Sequence, residues 1–230
     1  VFSPLGFKVV AVARPYAVLL EWGRPGIEEY CDDIREKAGD IGEKASAIVM
    51  NCNPFTLGHR YLIETAASQS DRVYIFVVEE DLSVFPFGVR FRLIKEGTSS
   101  LPNVSVIPGG RYVVSSLTFP SYFTRETELA YAHTAIDVEI FLRHIAPTLN
   151  INRRYIGTEP FSPVTDIYNN AMKERLIPAG IEVSEIARLE KGAVAISASR
   201  VRESLSKGDM DSVKELVPNT TFEYLMSKEA

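Results

Sequence analysis

The segment from Asn51 to His59 combines side chains and a glycine that suit phosphate binding. Thr56 brings a hydroxyl, His59 brings an imidazole N–H, and Gly58 lets an anion approach the backbone closely. If a helix begins near Gly58, its first N–H groups lack partners and its dipole is positive there, so an anionic phosphate can bind at little cost. The alternative interpretation is structural: a turn that caps a helix, with a histidine facing solvent.

A second group of phosphate-binding side chains occurs near the carboxyl end, in Ile196-Ser-Ala-Ser-Arg-Val-Arg202. Ser197 or Ser199 can cap a helix and bind phosphate at the same place. Arg202 follows about one helical turn later and can hold the β- or γ-phosphate of a nucleotide. A serine-capped amphipathic helix without any ligand would explain Ser199 equally well.

Each group needs a strand before it and a helix after it, and the sequence shows this alternation from residue 45 onward. The predicted strands are Ala47–Asn51, Arg72–Val78, Val104–Ile107, Arg154–Ile156 and Ile181–Ile186. The predicted helices are Gly58–Gln69, Phe87–Ser99, Arg125–Ile145, Thr165–Leu176, Ser199–Ser206, Asp209–Leu216 and Thr221–Met226. This order predicts an α/β fold with a Rossmann-like, doubly wound, five-stranded parallel sheet that binds ligands at the carboxyl ends of its strands.

The first 44 residues do not follow the alternation and are predicted to form a separate segment. They contain, in order, a β-hairpin, a polar helix and a linker: Phe7–Ala13 with Tyr16–Trp22, Gly26–Lys37 and Gly39–Ser46. A lone hairpin is marginal in water, so we expect it to complete a sheet with an upstream segment or to pack on the main domain. The chain starts at Val1 and not at Met, which suggests a missing amino-terminal part. We therefore predict an amino-terminal remnant at 1–44 and a catalytic domain at 45–230.

Composition narrows the class of protein. The 230 residues, 46% of them apolar, can form one substantial core and a small appendage. A net charge of −5 argues against general nucleic-acid binding, so phosphate affinity has to be local. Cys31 and Cys52 give neither a disulfide framework nor a zinc set, and no apolar run approaches the ~18–20 residues that cross a bilayer. We expect a cytoplasmic protein without nucleic-acid or membrane partners.

The two groups resemble, in the same order, the two signatures of the His-x-Gly-His nucleotidyltransferase superfamily. Thr56-Leu-Gly-His59 is similar to its His/Thr-x-Gly-His motif, and Ile196–Arg202 fits Ile-Ser-x-Ser/Thr-x-x-Arg/Lys at every fixed position. Longer stretches resemble the citrate (pro-3S)-lyase ligases, also called acetate:holo-citrate-lyase ligases: Met50–His59, Phe85–Arg90, Pro108–Tyr112, Thr118–Phe123, Gly157–Asn169 and Ile196–Arg202. The resemblance extends from about Ile27 to the carboxyl end.

This resemblance implies a nucleotidyltransferase-type ligase that uses ATP and Mg²⁺. Acetate and ATP would give acetyl-AMP and pyrophosphate, and the acetyl group would pass to the thiol of a dephospho-CoA-type prosthetic group on the citrate lyase acyl carrier subunit. Acetate is already ionised at neutral pH, so the first step needs alignment and charge neutralisation and no general base. Members of the family usually carry an upstream acetyltransferase-like domain, of which residues 1–23 would be a remnant.

The resemblance also implies roles for individual residues. Thr56 and His59 would stabilise the α-phosphate, while Ser197, Ser199 and the catalytic Arg202 would hold the outer phosphates. Further nucleotide-binding residues are expected at Asn51, Asn53, Pro54, Phe55, Gly58, Arg90, Gly157, Thr158, Glu159 and Ile196. Relatives that adenylylate phosphopantetheine have an Asp in place of Asn53 and a Lys near Ser83. Arg90 or Arg111 therefore becomes a candidate for the missing charge, and Arg90 could equally be a solvated helix arginine. No metal ligands are predicted.

Two other functions and one segment remain open. The chain could adenylylate a phosphopantetheine- or nicotinamide-mononucleotide-like acceptor, or it could be a nucleotide-sensing or carrier-docking module without turnover. The segment Gly109–Phe123, rich in hydroxyls and aromatics, follows a strand. It could bind the acceptor or form a surface excursion whose aromatic side chains are buried for packing.

Overall fold

The computed structural model of the chain describes residues 2–79, 83–113, 128–158, 163–192 and 194–227. The strands are β1 (Lys8–Ala13), β2 (Ala17–Glu21), β3 (Ala45–Met50), β4 (Arg72–Val77), β5 (Val104–Pro108), β6 (Ile151–Gly157), β7 (Glu182–Ile186), β8 (Glu190–Lys191) and β9 (Val194–Ala195). The helices are α1 (Ile27–Ala38), α2 (Leu57–Ser68), α3 (Phe87–Gly97), α4 (Glu128–Ile140), α5 (Ala146–Thr148), α6 (Pro163–Leu176), α7 (Ala198–Ser206), α8 (Met210–Leu216) and α9 (Asn219–Met226).

The central sheet has five parallel strands in the order β5-β4-β3-β6-β7. The chain enters at the central strand β3, adds β4 and β5 on one side, and then crosses to add β6 and β7 on the other. This order confirms the predicted doubly wound α/β fold. The direction of winding reverses between β3 and β6, and a crevice opens at the carboxyl ends of two strands at such a point.

The two faces of the sheet are covered by different helices, because its strands are apolar on both faces. On one face, Ile63 of α2 and Leu93 of α3 pack in a buried cluster with Ile75. On the other, Ile136 of α4 and Met172 of α6 pack in a second cluster that includes Ala47, Tyr74, Phe76 and Ile156 of the sheet. Helix α2 is therefore anchored in the core through Ile63, and this fixes its first residues at the edge of the crevice.

The amino-terminal hairpin packs on the main fold, which is one of the two arrangements expected for it. β1 and β2 pair antiparallel and pack against α4, with Val10 and Ala13 buried in the same cluster as Ile136. A ring nitrogen of His144, Nε2, lies 2.8 Å from the carbonyl oxygen of Val10. The hairpin and α1 therefore share a core with the rest of the chain, and the domain division at residue 45 stays a prediction.

Two local features differ from the sequence expectations. The predicted helix Arg125–Ile145 includes, in its described part, α4 and a π-helical turn at Phe141–Ile145 that leads into α5. A small antiparallel hairpin, β8–β9, lies between β7 and α7 and was not predicted, because strands of two residues are too short for a periodic pattern. Within the part of the chain that the structure describes, no helix is both long and apolar enough to span a bilayer.

Candidate functional site

The two predicted phosphate-binding groups line one cavity of about 800 Å³ at the crevice between β3 and β6. Most of the predicted site residues contribute to its wall: Asn51, Asn53, Thr56, Gly58, His59, Gly157, Ile196, Ser197, Ser199 and Arg202. We call the segment from Asn51 to His59 the first turn and the segment from Ile196 to Arg202 the second turn. The fold thus brings together residues that are far apart in sequence.

In the first turn, Thr56 caps helix α2 and binds His59 through both backbone and side chain. The Thr56 hydroxyl accepts a hydrogen bond from the backbone N–H of His59 at 3.3 Å. The backbone N–H of Thr56 donates to Nδ1 of His59 at 3.1 Å, and the hydroxyl lies 2.9 Å from the same nitrogen. This reciprocal pair satisfies two N–H groups at the helix start and fixes the imidazole ring.

The surroundings of His59 determine both its tautomer and its charge. Because Nδ1 accepts from a backbone N–H, the hydrogen-bond pattern assigns the proton of the neutral ring to Nε2. Burial lowers the pKa of His59 to about 4, and the positive charge of Arg188 contributes to the shift. Phe55 stacks on the ring with a centroid distance of 6.1 Å. At neutral pH, His59 is therefore an uncharged N–H donor at the cavity wall.

In the second turn, Ser197 caps helix α7 by accepting from the backbone N–H of Arg200 at 3.3 Å. Arg202, one turn into the helix, reaches back to the first turn and donates to the carbonyl oxygen of Asn53. A second guanidinium nitrogen of Arg202 lies 3.2 Å from the hydroxyl of Ser199. The amino ends of two helices, each with a hydroxyl cap, thus open on the same cavity, and both favour an anion there.

Gly58 makes a close contact with the second turn that was not predicted from the sequence. A Cβ atom at this position would lie 2.9 Å from the carbonyl oxygen of Ile196, which is a backbone atom of the second turn. The missing side chain therefore lets the two turns pack against each other. Gly58 also lines the cavity, and its expected role of letting a phosphate approach the backbone stays a prediction.

Several predicted nucleotide-binding residues do not line the cavity. Pro54 and Phe55 belong to the first turn, but they are buried and are not among the described residues that line the cavity. Thr158 lies beyond the end of β6, where its backbone N–H donates to the carbonyl oxygen of Ile186 at 3.0 Å. Glu159 lies outside the described residues, as does most of the Gly109–Phe123 segment.

Arg90, predicted to contact phosphate, is fully buried. Its guanidinium donates to the carbonyl oxygens of Phe85 at 2.9 Å, Asn51 at 2.8 Å and Val78 at 2.8 Å. These contacts place Arg90 beneath the first turn as a structural support, and Arg90 is not among the described residues that line the cavity. The alternative of a solvated helix arginine also disagrees with the structure.

Two cationic residues of the cavity wall, Arg188 and Arg154, were not predicted from the sequence. Arg188 follows β7, lines the cavity and donates through Nε to the carbonyl oxygen of Thr158 at 2.7 Å. Arg154, on β6, is buried with its guanidinium 4.5 Å from the centre of the Phe141 ring. A basic residue just beyond a predicted strand was the available signal for Arg188, because ligands bind at that edge of the sheet.

The charged side chains among the described residues of the cavity wall are cationic, and hydroxyl groups accompany them. Arg154, Arg188 and Arg202 line it, and none of its described lining residues is Asp or Glu. Across the described ranges, no three His, Cys, Asp or Glu side chains are grouped in a way that could hold a metal ion. Cys52 also lines the cavity, and burial raises the pKa of its thiol. The site is suited to binding an anion with several phosphates.

Comparison with known proteins agrees with this geometry. The family model described as the citrate lyase ligase C-terminal domain matches residues 45–225. The chain is 44% identical to a citrate (pro-3S)-lyase ligase from Klebsiella pneumoniae, over 98% of this chain and 67% of the relative. It is 39% identical to the ligase of the same name from Escherichia coli, over 98% of this chain and 66% of the relative. The chain thus spans about two thirds of the length of these relatives.

Among solved structures, the fold is similar to that of Thermotoga maritima TmcAL, which was crystallised with alpha-thio ATP. The TM-score is 0.50 at 14% sequence identity, over 80% of this chain and 55% of the other. This likeness concerns the fold alone, whereas the family model and the two ligases match the sequence over most of its length. The chain belongs to the citrate lyase ligase family.

Proposed function

We propose that this chain adenylates acetate with ATP and transfers the acetyl group to the prosthetic-group thiol of the citrate lyase acyl carrier subunit. The observation that carries the proposal is the meeting of His59 and Arg202 in one cavity, at the amino ends of two helices. Membership of the citrate lyase ligase family supports acetate and the carrier thiol as the acceptors.

In the first step, a carboxylate oxygen of acetate attacks the α-phosphorus of ATP, and the bond from that phosphorus to the bridging oxygen breaks. Acetyl adenylate forms and pyrophosphate leaves. The nucleophile is already an anion at neutral pH, so the protein has to align it and offset its repulsion from the triphosphate. A neutral His59 suits this task, since it donates an N–H without accepting the proton that a general base would take.

The two turns divide the triphosphate between them in this proposal. Thr56 and His59, at the start of α2, face the α-phosphate. Ser197, Ser199 and Arg202, at the start of α7, face the outer phosphates that leave as pyrophosphate. Because Arg202 also holds the carbonyl oxygen of Asn53, the same side chain that contacts the leaving group keeps the two turns in register.

In the second step, the carrier thiol sulfur attacks the acetyl carbonyl carbon and the bond from that carbon to the AMP oxygen breaks. AMP leaves, and the thiol proton passes to solvent or to a phosphate oxygen. Cys52 lies in the cavity, but its raised pKa keeps it protonated and weakly nucleophilic. We therefore expect a direct transfer from acetyl adenylate to the carrier, without an acetyl-enzyme on Cys52.

The predicted Mg²⁺ does not find carboxylate ligands among the described residues that line the cavity. Mg²⁺ commonly keeps several waters and binds through substrate phosphates, so it would enter with ATP. In this proposal, residues of the chain align the substrates, and Mg²⁺ would share the charge of the phosphates.

The test is ATP–pyrophosphate exchange by the chain, with acetate, phosphopantetheine and nicotinamide mononucleotide as separate acceptors. We expect exchange that depends on acetate. His59→Ala should lower the rate by about 10²–10³-fold, because one preorganised donor at the α-phosphate is lost. Binding of the acyl carrier subunit should not change. Arg143→Gln is the matched control, since Arg143 pairs with Glu139 at the surface, away from the cavity.

Three outcomes would contradict this proposal. Exchange that depends on phosphopantetheine or nicotinamide mononucleotide, and not on acetate, would indicate an adenylyltransferase. ATP binding without exchange under any condition would indicate a binding module. Equal loss of exchange and carrier binding in His59→Ala would show that His59 supports the fold and not the chemistry.

A further inference from the structure

Arg188 is held at the rim of the cavity by the ends of two neighbouring strands. It follows β7 directly and donates through Nε to the carbonyl oxygen of Thr158, just beyond β6, at 2.7 Å. The backbone N–H of Thr158 in turn donates to the carbonyl oxygen of Ile186 at 3.0 Å. Arginine carries five N–H donors in a planar fork, so one guanidinium can hold a carbonyl and contact a phosphate oxygen at the same time.

The position of Arg188 relative to His59 indicates which part of a nucleotide it would meet. Both side chains line the same cavity. The positive charge of Arg188 also lowers the pKa of His59, after the larger effect of burial. Arg202 contacts Asn53 and Ser199 instead, at the start of α7. The two arginines thus approach the cavity from different elements, Arg188 from the end of β7 and Arg202 from the second turn.

We propose that Arg188 binds a non-bridging oxygen of the α-phosphate, while Arg202 binds the outer phosphates. This inference rests on the proposed function, because it takes the nucleotide to lie with its α-phosphate at His59. A cation at this point offsets the repulsion between the acetate anion and the α-phosphate as the two approach. Arg188 would then supply the charge that the sequence interpretation assigned to Arg90, which is buried under the first turn.

The test compares the binding of AMP and of pyrophosphate, measured by titration calorimetry on the full chain. AMP carries the α-phosphate alone, whereas pyrophosphate represents the outer pair. Arg188→Gln should weaken AMP binding by about 10-fold or more, as expected for one charge-assisted hydrogen bond, and leave pyrophosphate binding unchanged. Arg202→Gln should show the reverse pattern. Acetate-dependent exchange should fall by about 10²-fold in Arg188→Gln.

Two further variants separate a phosphate contact from a structural role. Arg143→Gln removes a surface charge outside the cavity and should change neither affinity. Arg188→Lys keeps the charge but loses the planar fork, so it should retain part of the AMP affinity that Arg188→Gln loses. Thermal unfolding of each variant shows whether the fold is intact, and if Arg188→Gln unfolds early, Arg188→Lys takes its place in the comparison.

The outcomes distinguish this inference from the proposed function. If the wild-type chain binds AMP and pyrophosphate but Arg188→Gln binds both as well as wild type does, Arg188 does not contact phosphate and only this inference is wrong. Equal weakening of both ligands would mean that Arg188 acts through the strand ends that it connects. A wild-type chain that binds neither ligand would contradict the proposed function, and this inference with it.

Discussion

The first and second turns look alike locally but are supported in different ways. Each begins a helix with a hydroxyl cap: Thr56 accepts from the N–H of His59, and Ser197 accepts from the N–H of Arg200, both at 3.3 Å. The first turn is held from within the core, where buried Arg90 donates to the carbonyl oxygen of Asn51. The side chain of Asn53 also accepts from the backbone N–H of Phe85 at 3.0 Å.

The second turn has its main polar contact with the first turn. Arg202 donates to the carbonyl oxygen of Asn53, and the carbonyl of Ile196 approaches the position where Gly58 lacks a side chain. Beneath it, Ile196 and Val201 pack in a small separate cluster with residues of α8. The first turn is therefore the fixed reference, and the second turn is positioned against it. Substitutions under the first turn should affect folding, whereas substitutions between the turns should affect function.

The largest effect is expected from Arg90→Gln. The shorter, uncharged side chain cannot reach the three carbonyl oxygens that Arg90 satisfies, and each buried carbonyl left without a partner costs about 1 kcal/mol or more. We expect the free energy of unfolding to fall by about 3 kcal/mol, measured by urea denaturation. Arg92→Gln is the control, because Arg92 is exposed on the same helix.

The matching substitution in the second turn is Arg202→Gln. Arg202 is only half-buried, so its loss should cost about 1 kcal/mol of stability or less while it lowers acetate-dependent exchange by about 10²-fold. If Arg90→Gln were as stable as wild type, or if Arg202→Gln lost as much stability as Arg90→Gln, the two turns would not differ in support as described.

The contrast between these arginines also explains which parts of the site could be predicted from the sequence. A motif shows residue types and their spacing along the chain, which was sufficient to place Thr56, His59, Ser197 and Arg202 at one cavity. It does not show which carbonyl groups a fold leaves without partners. Arg90 was therefore interpreted as a ligand for phosphate, although its ligands are backbone oxygens of the protein itself.

The fold was more predictable than the site, for a physical reason. In β4, for example, all residues after Arg72 are buried, and this nearly continuous apolar run can be recognised from the sequence alone. Arg188, by contrast, lies between β7 and the unpredicted β8–β9 hairpin. Its position depends on the contact between the ends of β6 and β7, as its hydrogen bond to Thr158 shows. A local sequence pattern does not reveal a contact between two strands that are far apart in the chain.

A smaller effect on stability, but a clear one on function, is expected from Gly58→Ala. Alanine is favoured over glycine within a helix by about 1 kcal/mol, which opposes the cost of the close approach to Ile196. Because the new Cβ would lie 2.9 Å from a backbone oxygen, the second turn has to move by a fraction of an ångström. We expect exchange to fall by about 10-fold to 10²-fold with little change in the unfolding free energy.

Gly88→Ala provides a matched control for this prediction. Gly88 is the second residue of α3, as Gly58 is of α2, and a Cβ there would meet nothing within 4 Å. It should leave exchange unchanged and keep or raise stability. Unchanged exchange in Gly58→Ala would mean that the spacing between the two turns is not critical for catalysis.

The smallest effect should be that of pH near neutrality, and it too separates the two turns. The second turn contains no group that titrates between about pH 4 and pH 8, whereas the first contains His59. The pKa of His59 is lowered from 6.5 to about 4, so the folded protein keeps the ring neutral over most of that interval. In the unfolded chain, His59 takes up a proton as the pH falls through the ordinary histidine pKa of 6.5, whereas in the folded chain it does so only near pH 4.

The contribution of His59 to stability is therefore present above pH 6.5 and is lost as the pH falls toward about 4. Exchange should not change through His59 between about pH 6 and pH 8, since Nε2 remains a donor throughout. The measurement is an NMR titration of the three histidines, assigned with His59→Gln. A His59 resonance that titrates near 6.5 would mean that Nδ1 takes up a proton easily and does not accept a hydrogen bond from the N–H of Thr56. The reciprocal cap would then be absent in solution, and the first turn would lose the rigidity that distinguishes it from the second.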